Sequence, residues 1–244
     1  MTPDVAVIGA GIIGVSVAEE LAAAGASVVV YETTEIAAAA SGRNSGVVQY
    51  PLDPVLEELH LGTLERYRRL ANEEPDAFRM GSQPSGLMLV GRDAARLRAM
   101  ADELASTHPH LRSEFVPAGD VTRLEPAIAD GVGACRLHVG YPVAPASATR
   151  AIARRAERAG ARVVIGEAAR PRLEARRAVG VEVDGRFEAA GTVVVAAGPW
   201  SPEVIDPSGA WRPIRRVWGV VVEVGLASPP GHVLEEAGVD IEPG

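Results

Sequence analysis

Two short apolar runs flank an amphipathic segment at the start of the chain. Asp4–Ile8 and Ser27–Tyr31 are rich in β-branched residues, which is typical of buried parallel strands. Between them, small and apolar residues recur at helical spacing from Val15 to Ala22, and Gly25 stands where a helix commonly ends. The pattern therefore predicts a strand–helix–strand unit.

The rest of the chain alternates further helical and strand-like patterns. Helical periodicity occurs at Pro54–Leu70, Arg92–Thr107, Ala118–Pro126 and Ala146–Ala159, the third with Asp120 as its N-cap. Strand-like runs occur at Ser82–Gly91, Ala134–Val139 and Arg162–Ile165, and Asp184–Gly185 is a hairpin turn between two more. The second strand–helix–strand pattern, in the later half of the chain, predicts that the chain rejoins the first sheet.

A glycine-rich turn, Gly9-Ala10-Gly11-Ile12-Ile13-Gly14, joins the first strand to the first helix. In this motif the first glycine allows the tight turn, the second lets the backbone approach a pyrophosphate, and the third lets the helix pack closely on the strands. The helix start presents N–H groups and a partial positive charge to phosphates. Glu32, at the end of the second strand, can accept hydrogen bonds from ribose hydroxyls and would repel a 2′-phosphate, which argues against NADP. This context favours a dinucleotide site over a glycine-rich turn without a ligand.

The motif alone does not choose between FAD and NAD, and the next segment bears on that choice. Ile36–Val48 consists mainly of small residues and glycines, so it can lie against a bulky planar ligand. The hydroxyls of Ser41 and Ser45 can donate hydrogen bonds to phosphates or ring heteroatoms. Arg43 either neutralises a pyrophosphate or points to solvent. The alternative for the whole segment is a plain surface loop.

Composition restricts the function classes. Of 244 residues 47% are hydrophobic, so a core can form, and the net charge of −8 argues against a general nucleic-acid binder. The one cysteine, Cys135, excludes an internal disulfide and a multi-cysteine zinc site, and we interpret it as a small buried residue rather than a reactive thiol. None of the five histidines has metal-ligand spacing, so no metal site is predicted. We recognise no signal peptide and no membrane span, and therefore expect a cytoplasmic protein.

Four sequence features resemble the D-amino-acid oxidase superfamily, which includes glycine oxidase, sarcosine oxidase and bacterial D-amino-acid dehydrogenases. They are Gly9–Gly14 with Glu32, Ser41–Gly46, Gly140–Pro145 before a helix, and Val193–Ser201. Pro213–Gly219 also resembles the family's return into its substrate domain. Together these motifs span nearly the whole chain and are specific for the superfamily, but they do not specify a substrate.

The resemblance implies an α/β fold with two domains. One is a Rossmann-like FAD-binding domain with a parallel sheet, expected at residues 1–50 and 140–207. The other is a discontinuous α+β substrate domain with a mixed sheet, expected at residues 51–139 and 208–244. Family members continue further than this chain does, so we expect an incomplete substrate domain with exposed apolar surface, and dependence on a partner subunit or on homo-oligomer formation.

The resemblance also implies that FAD is the cofactor and which residues bind it. The ADP half is expected at Gly9, Ala10, Gly11, Ile12, Ile13, Gly14 and Glu32. The pyrophosphate and the path toward the isoalloxazine are expected at Ser41, Gly42, Arg43, Asn44, Ser45, Gly46 and Val47. The adenine is expected near Ala169 or Arg170, and Ala197 and Gly198 end a strand near the cofactor. Trp200 either caps the cofactor or fills core volume. No histidine or cysteine lies beside the Ser41–Gly46 loop, so we expect non-covalent FAD.

The implied reaction is oxidation of the C–N bond of an amine or amino acid. A D-amino acid, glycine, sarcosine or an opine-like compound would lose hydride to flavin N5, and water would hydrolyse the resulting imine. No catalytic residue is assigned. Two alternatives stay open: an NAD-dependent dehydrogenase that uses the same strand–helix–strand unit, and a non-catalytic nucleotide-binding fragment or subunit that needs a partner chain.

Overall fold

The structure is a computed structural model that describes residues 2–237. It divides into two compact units, which we describe separately. The first unit takes the described residues up to Gly46 together with Arg69–Arg79 and Ala144–Val222. The second takes Val47–Arg68, Met80–Val143 and the described residues from Glu223 onward.

The described chain contains α-helices and short strands in alternation. The helices are α1 (Ile12–Ala23), α2 (Pro54–Glu73), α3 (Ala94–Thr107), α4 (Ala118–Leu124), α5 (Pro145–Arg158) and α6 (Ser201–Ile205). The first seven strands are β1 (Val5–Ile8), β2 (Val28–Glu32), β3 (Val47–Val48), β4 (Leu87–Gly91), β5 (Glu114–Val116), β6 (Gly133–Leu137) and β7 (Tyr141–Pro142). The remaining strands are β8 (Arg162–Ile165), β9 (Ala169–Glu174), β10 (Arg177–Val183), β11 (Arg186–Ala189), β12 (Thr192–Val195) and β13 (Val233–Glu236).

A parallel sheet organises the first unit. Its four strands lie in the order β12-β1-β2-β8, with β1 paired to both β12 and β2. β8 pairs with β2, so the chain rejoins the first sheet as predicted. The strands are almost wholly apolar because both faces of a parallel sheet are covered. The helices α1 and α5 pack on each other through small side chains, including Ala18 and Ala22 of α1 and Ala153 of α5, which are buried.

An antiparallel sheet, ordered β11-β10-β9, adds a second layer to the first unit. Asp184 and Gly185 form the predicted hairpin turn, with left-handed φ values of 46° and 80°. Val181 and Val183 of β10 share a core cluster with Ile8 and Tyr31 of the parallel sheet. The two sheets of this unit therefore bury one common apolar layer.

Ion pairs join three helical segments within the first unit. Arg155 of α5 pairs with Glu19 of α1 and with Glu73 at the end of α2, and Arg158 pairs with Glu74. Glu19 is buried, so its charge requires a partner in the folded chain. These pairs explain why residues 69–79, which lie within the range 51–139 expected for the substrate domain, belong to the first unit.

A mixed sheet, ordered β13-β4-β6-β5, organises the second unit. β4 and β6 are antiparallel, whereas β13 joins β4 in parallel. The parallel sheet of one unit and the mixed sheet of the other confirm the predicted α/β fold class. Leu97, Leu111 and Leu137 form part of the core beneath this sheet.

Two sequence predictions within the second unit were wrong in detail. α4 begins after Pro117, whose φ of −68° and ψ of 156° place it at the N-cap. Asp120 therefore lies in the first helical turn, where it pairs with Arg123, and it is not the cap. The strand predicted to begin at Ser82 begins at Leu87, because Gly86 adopts a φ of +94° that interrupts extended backbone before it.

The segment 211–226 is exposed and has no regular secondary structure. It presents a series of large apolar side chains to solvent, with Trp218 81% exposed and Val220 88% exposed. The others in this series are Trp211, Ile214, Val217, Val221, Val222, Val224 and Leu226. We call residues 211–226 the apolar segment.

Candidate functional site

A cavity of about 830 Å³ lies within the first unit, where the parallel strands end. Its walls come from the residues that follow β1, β2 and β12 and from the loop around Ser41. Ligands of open α/β sheets bind at this edge, outside the carboxyl ends of the strands. The volume falls in the range of small-molecule and cofactor sites.

The glycine-rich turn forms one wall and requires glycine at its two ends. Gly9 has a φ of +105°, and a Cβ there would stand 2.5 Å from the Ala196 carbonyl oxygen. A Cβ on Gly14 would stand 2.0 Å from the Gly9 carbonyl oxygen, so only glycine lets α1 approach the turn. Gly11 has an ordinary φ of −73° and lines the cavity, so its missing side chain leaves room for a ligand.

Glu32 holds the neighbouring turn through both carboxylate oxygens. Its Oε2 accepts the Ala10 N–H at 2.9 Å, and its Oε1 accepts the Thr34 N–H at 3.0 Å and the Thr33 hydroxyl at 3.1 Å. Glu32 also lines the cavity. A carboxylate in this position can accept hydrogen bonds from sugar hydroxyls and would repel an added phosphate.

The loop around Ser41 lies against the start of α1. The Ser41 hydroxyl oxygen accepts the Ile12 N–H at 2.9 Å. Asn44 stabilises the loop internally, because its side-chain amide donates to the Ala40 carbonyl and its oxygen accepts the Gly46 N–H, both at 2.9 Å. Ser41, Arg43 and Asn44 line the cavity, so this loop is part of the site rather than an unrelated surface loop.

The opposite wall comes from the segment after β12. Ala196, Ala197, Gly198 and Trp200 line the cavity. Trp200 is 40% exposed while lining the cavity, so it stands at the rim and does not fill core volume.

The structure brings most of the predicted cofactor residues together. Those that line the cavity are Gly9, Gly11, Ile12, Ile13, Glu32, Ser41, Arg43, Asn44, Ala169, Ala197, Gly198 and Trp200. Those outside the lining are Ala10, Gly14, Gly42, Ser45, Gly46, Val47 and Arg170. Ala10, Gly14 and Gly42 shape the turns behind the wall. The Ala10 N–H donates to Glu32, and a Cβ on Gly14 or Gly42 would collide with the carbonyl oxygen of Gly9 or Ala37. Arg170 pairs with Glu182 at 2.7 Å, and Val47 belongs to the second unit.

Sequence reasoning did not name several lining residues individually, although Ala38, Ala39 and Ala40 belong to the segment Ile36–Val48 that was expected to lie against the ligand. The lining residues that it missed are Ile8, Tyr31, Thr33, Thr34, Glu35, Glu167, Ala196, Pro199 and Val204. Ile8, Tyr31 and Ala196 stand at strand ends beside predicted residues, so their place in the strands could have identified them. Glu167 and Val204 carry no such pattern, and only the fold brings them to the cavity.

The residues present fit FAD. The start of α1 offers N–H groups and a partial positive charge beside the open position at Gly11, and Arg43 adds a full positive charge. Glu32 lines the same cavity, and its carboxylate can accept hydrogen bonds from ribose hydroxyls. The remaining lining is mainly apolar and small, which suits a flat aromatic ligand.

The described residues that line the cavity include no cysteine and no histidine. Cys135 is fully buried in β6, and burial raises the pKa of its thiol to about 11, which agrees with a structural role. His60, His108 and His110 surround the ring of Tyr50 at centroid distances of 5.6, 6.0 and 5.2 Å. Within residues 2–237 no group of His, Cys, Asp and Glu side chains could hold a metal ion.

None of the helices within residues 2–237 is both long enough and apolar enough to cross a membrane.

Known proteins similar to this chain include a glycine oxidase and a less characterised oxidoreductase. The chain is 30% identical over 233 residues to the glycine oxidase of Bacillus licheniformis, covering 91% of this chain and 61% of the relative. It is 29% identical over 217 residues to the uncharacterized oxidoreductase YurR of Bacillus subtilis strain 168, covering 83% of this chain and 57% of the relative. The chain thus spans about 57–61% of the length of these relatives.

A solved structure shows the same fold. The glycine oxidase of Bacillus cereus ATCC 14579 superposes with a TM-score of 0.72 at 27% identity, over 83% of this chain and 57% of the oxidase. The family described as DAO, FAD dependent oxidoreductase, matches residues 4–241, which is nearly the whole of the 244-residue chain. The fold and the family match therefore agree, and the chain belongs to the DAO family of FAD-dependent oxidoreductases.

Proposed function

We propose that this chain binds FAD in the cavity of the first unit and oxidises the C–N bond of a small amine or amino acid. The observation that carries the proposal is the cavity itself, which the start of α1, Glu32 and Arg43 line together with mainly apolar residues. The start of α1 and Arg43 would bind the pyrophosphate, and Glu32 would bind the ribose. The family match supports FAD as the cofactor. The similarity to proteins named glycine oxidase supports a small amino acid such as glycine. The proposal extends the candidates to D-amino acids, sarcosine and opine-like compounds because of the family resemblance of the sequence.

Several residues divide the work of holding FAD. The N–H groups at the start of α1 would donate to the pyrophosphate, and Arg43 would offset its charge. Glu32 would accept the ribose hydroxyls while it keeps the turn at Ala10 in place. Ala169 would lie near the adenine, as its place in the cavity lining allows. Bound FAD would supply the acceptor for a hydride from the carbon next to the substrate nitrogen.

We also propose that FAD is held without a covalent bond. The residues that line the cavity in the described structure include no histidine or cysteine, the side chains that commonly form such bonds to flavin. Cys135 is buried in the sheet of the second unit. Acid precipitation of the yellow protein should release all flavin into the supernatant, and flavin that stays with the pellet would contradict this proposal.

The second unit, with its mixed sheet, is proposed to contribute the substrate side of the enzyme. No catalytic residue is assigned in it, because flavin chemistry needs binding, orientation and exclusion of water more than a nucleophile. The cytoplasmic location stays a prediction of the sequence.

The test is spectroscopic. The purified chain should show the absorbance bands of oxidised flavin, and anaerobic addition of the correct amine should bleach them. D-amino acids, glycine, sarcosine and opines form the first panel. An absence of flavin binding together with a tight complex with NAD would overturn the proposal in favour of an NAD-dependent dehydrogenase.

A second candidate function is FAD binding without turnover until another polypeptide or a second copy is added. The observation that favours it is the apolar segment, whose exposed valines and tryptophans have the composition of a strand that pairs with further chain. This candidate predicts flavin binding by the chain alone, no bleaching with any amine of the panel, and bleaching once proteins encoded beside it are co-expressed. Bleaching by the monomeric chain alone would exclude it.

A further inference from the structure

Arg216 makes three contacts around the rim of the cavity, although it does not line the cavity. Its guanidinium carbon lies 5.6 Å from the centroid of the Trp200 ring. Its Nε donates to the Pro199 carbonyl oxygen at 3.3 Å, and its Nη2 lies 2.7 Å from a carboxylate oxygen of Glu203. One side chain of the apolar segment thus touches the turn 198–200 and the first turn of α6 together.

Glu203 orients the guanidinium in this arrangement. It lies in the first turn of α6, directly after the turn that carries Trp200. The Arg212 side chain lies 3.9 Å from its other carboxylate oxygen, so two arginines of the same segment flank one carboxylate. A charged pair that also contacts an aromatic face is more strongly oriented than an isolated surface ion pair.

Trp200 is the element through which Arg216 could affect a ligand. The ring stands at the rim of the cavity and is partly open to solvent, so packing against Trp200 covers part of any ligand inside. Trp200 is the last residue of a short 3₁₀ turn, Gly198–Trp200. A contact on the outer side of the ring would reduce its freedom and so lower the entropy lost when a ligand orders it.

We propose that Arg216 is a positioning residue for the flavin site, which holds Trp200 against the cavity and thereby tightens FAD binding. This inference rests on the proposed FAD-binding function. It adds that the apolar segment contributes to the cofactor site from outside, through one cation–aromatic contact. A polypeptide that covers the apolar segment would therefore also change FAD affinity, because its binding and the binding of FAD both depend on the contact between Arg216 and Trp200.

The first experiment measures the position of Trp200 without FAD. The chain contains three tryptophans, so the double variant Trp211→Phe/Trp218→Phe leaves Trp200 as the single fluorophore. Arg216→Ala in this background should shift the emission to longer wavelength and increase quenching by acrylamide. Arg215→Ala removes the same charge from the neighbouring exposed position and should change neither. Equal spectra for the Arg216 and Arg215 variants would overturn the proposal.

The second experiment measures FAD affinity by titration of flavin fluorescence. Arg216→Ala should weaken binding by about three- to tenfold, the range expected for loss of a partly exposed cation–aromatic contact. Arg216→Lys should restore part of the loss, and Arg215→Ala should bind as the unmodified chain does. Unchanged affinity in Arg216→Ala would overturn the positioning role while the proposed function stands. If the unmodified chain does not bind FAD, both the proposed function and the effect of Arg216 on FAD affinity are refuted. The Trp200 fluorescence spectra would then still show whether Arg216 holds the ring in place.

Discussion

Replacing Gly11 or Gly14 with alanine should have different effects: the change at Gly11 should weaken ligand binding, and the change at Gly14 should lower the stability of the fold. Gly11 has a φ of −73°, which alanine adopts without strain, and its new Cβ would meet only the Ser41 hydroxyl at 3.1 Å. Gly14 is different, because its new Cβ would stand 2.0 Å from a backbone oxygen, that of Gly9. The first clash involves a side chain that can rotate, whereas the second requires α1 to move away from the turn.

The expected magnitudes differ accordingly. Gly11→Ala should change the free energy of unfolding by less than about 1 kcal/mol. Alanine is a weaker N-cap than glycine, which lowers stability, but it also makes the unfolded chain less flexible, which raises stability. Its methyl group would occupy space that a pyrophosphate needs, and the loss of one or two charge-assisted hydrogen bonds should weaken FAD binding by about 10- to 100-fold. Gly14→Ala should cost about 3 kcal/mol, the upper end for overpacked sites.

The assay combines thermal melting with flavin titration. Gly14→Ala should melt roughly 6–12 °C below the unmodified chain, and Gly11→Ala within about 4 °C of it. Ser41→Ala combined with Gly11→Ala is the control for the clash, because it removes the hydroxyl that the new methyl group meets. Unimpaired FAD binding by Gly11→Ala would refute the reasoning. So would a loss of melting temperature as large as that of Gly14→Ala.

Three further predictions concern stability and reactivity. Cys135 should react very slowly with an aromatic disulfide reagent at pH 8 until denaturant is added. Burial raises the pKa of its thiol to about 11, so only about one molecule in a thousand would carry the thiolate at that pH. Fast labelling of the folded chain would contradict the burial of Cys135. Arg155→Ala should lower the free energy of unfolding by roughly 2 kcal/mol, because it removes one partner of the buried Glu19 carboxylate of α1, and the melting temperature should fall. The control Arg154→Ala, at an exposed position, should leave the melting temperature almost unchanged. Hydrogen bonds from the Ser27 hydroxyl and N–H lower the pKa of Asp4 below its ordinary value of 3.8. The ionised Asp4 carboxylate therefore stabilises the folded chain fully above pH 3.8, and this stabilisation is lost as the pH falls through the lowered pKa. The difference in melting temperature between the unmodified chain and Asp4→Asn should therefore vanish in strong acid, and a difference that grows there would exclude this assignment.

Features with a local physical cause were predictable from the sequence. The strand–helix–strand start follows from the periodicity of residues 4–31, and Gly9 and Gly14 from the steric demands of a turn that enters a helix. The hairpin at Asp184–Gly185 follows from residues that tolerate a left-handed backbone. The parallel sheet was predicted in this way and is confirmed. Membership of the FAD-dependent family was predicted from the resemblance of the sequence motifs and is also confirmed.

Features that depend on distant parts of the chain were not predictable. Glu167 and Val204 reach the cavity only because β8 lies beside β2 and β12 lies beside β1. The hydrophobic pattern of a single strand does not indicate which strands will be its neighbours in the sheet. Residues 69–79 comprise the end of α2 and the residues after it, within the range 51–139 expected for the substrate domain, yet they belong to the first unit, where Glu73 and Glu74 pair with arginines of α5. The contact of Arg216 with Trp200 likewise joins two segments that the sequence leaves unrelated. The amino-acid pattern by itself determined which elements form and which turn can receive a diphosphate, because those outcomes depend on neighbours along the chain. The tertiary structure alone decided which side chains surround that turn, because packing brings together residues that are far apart in sequence.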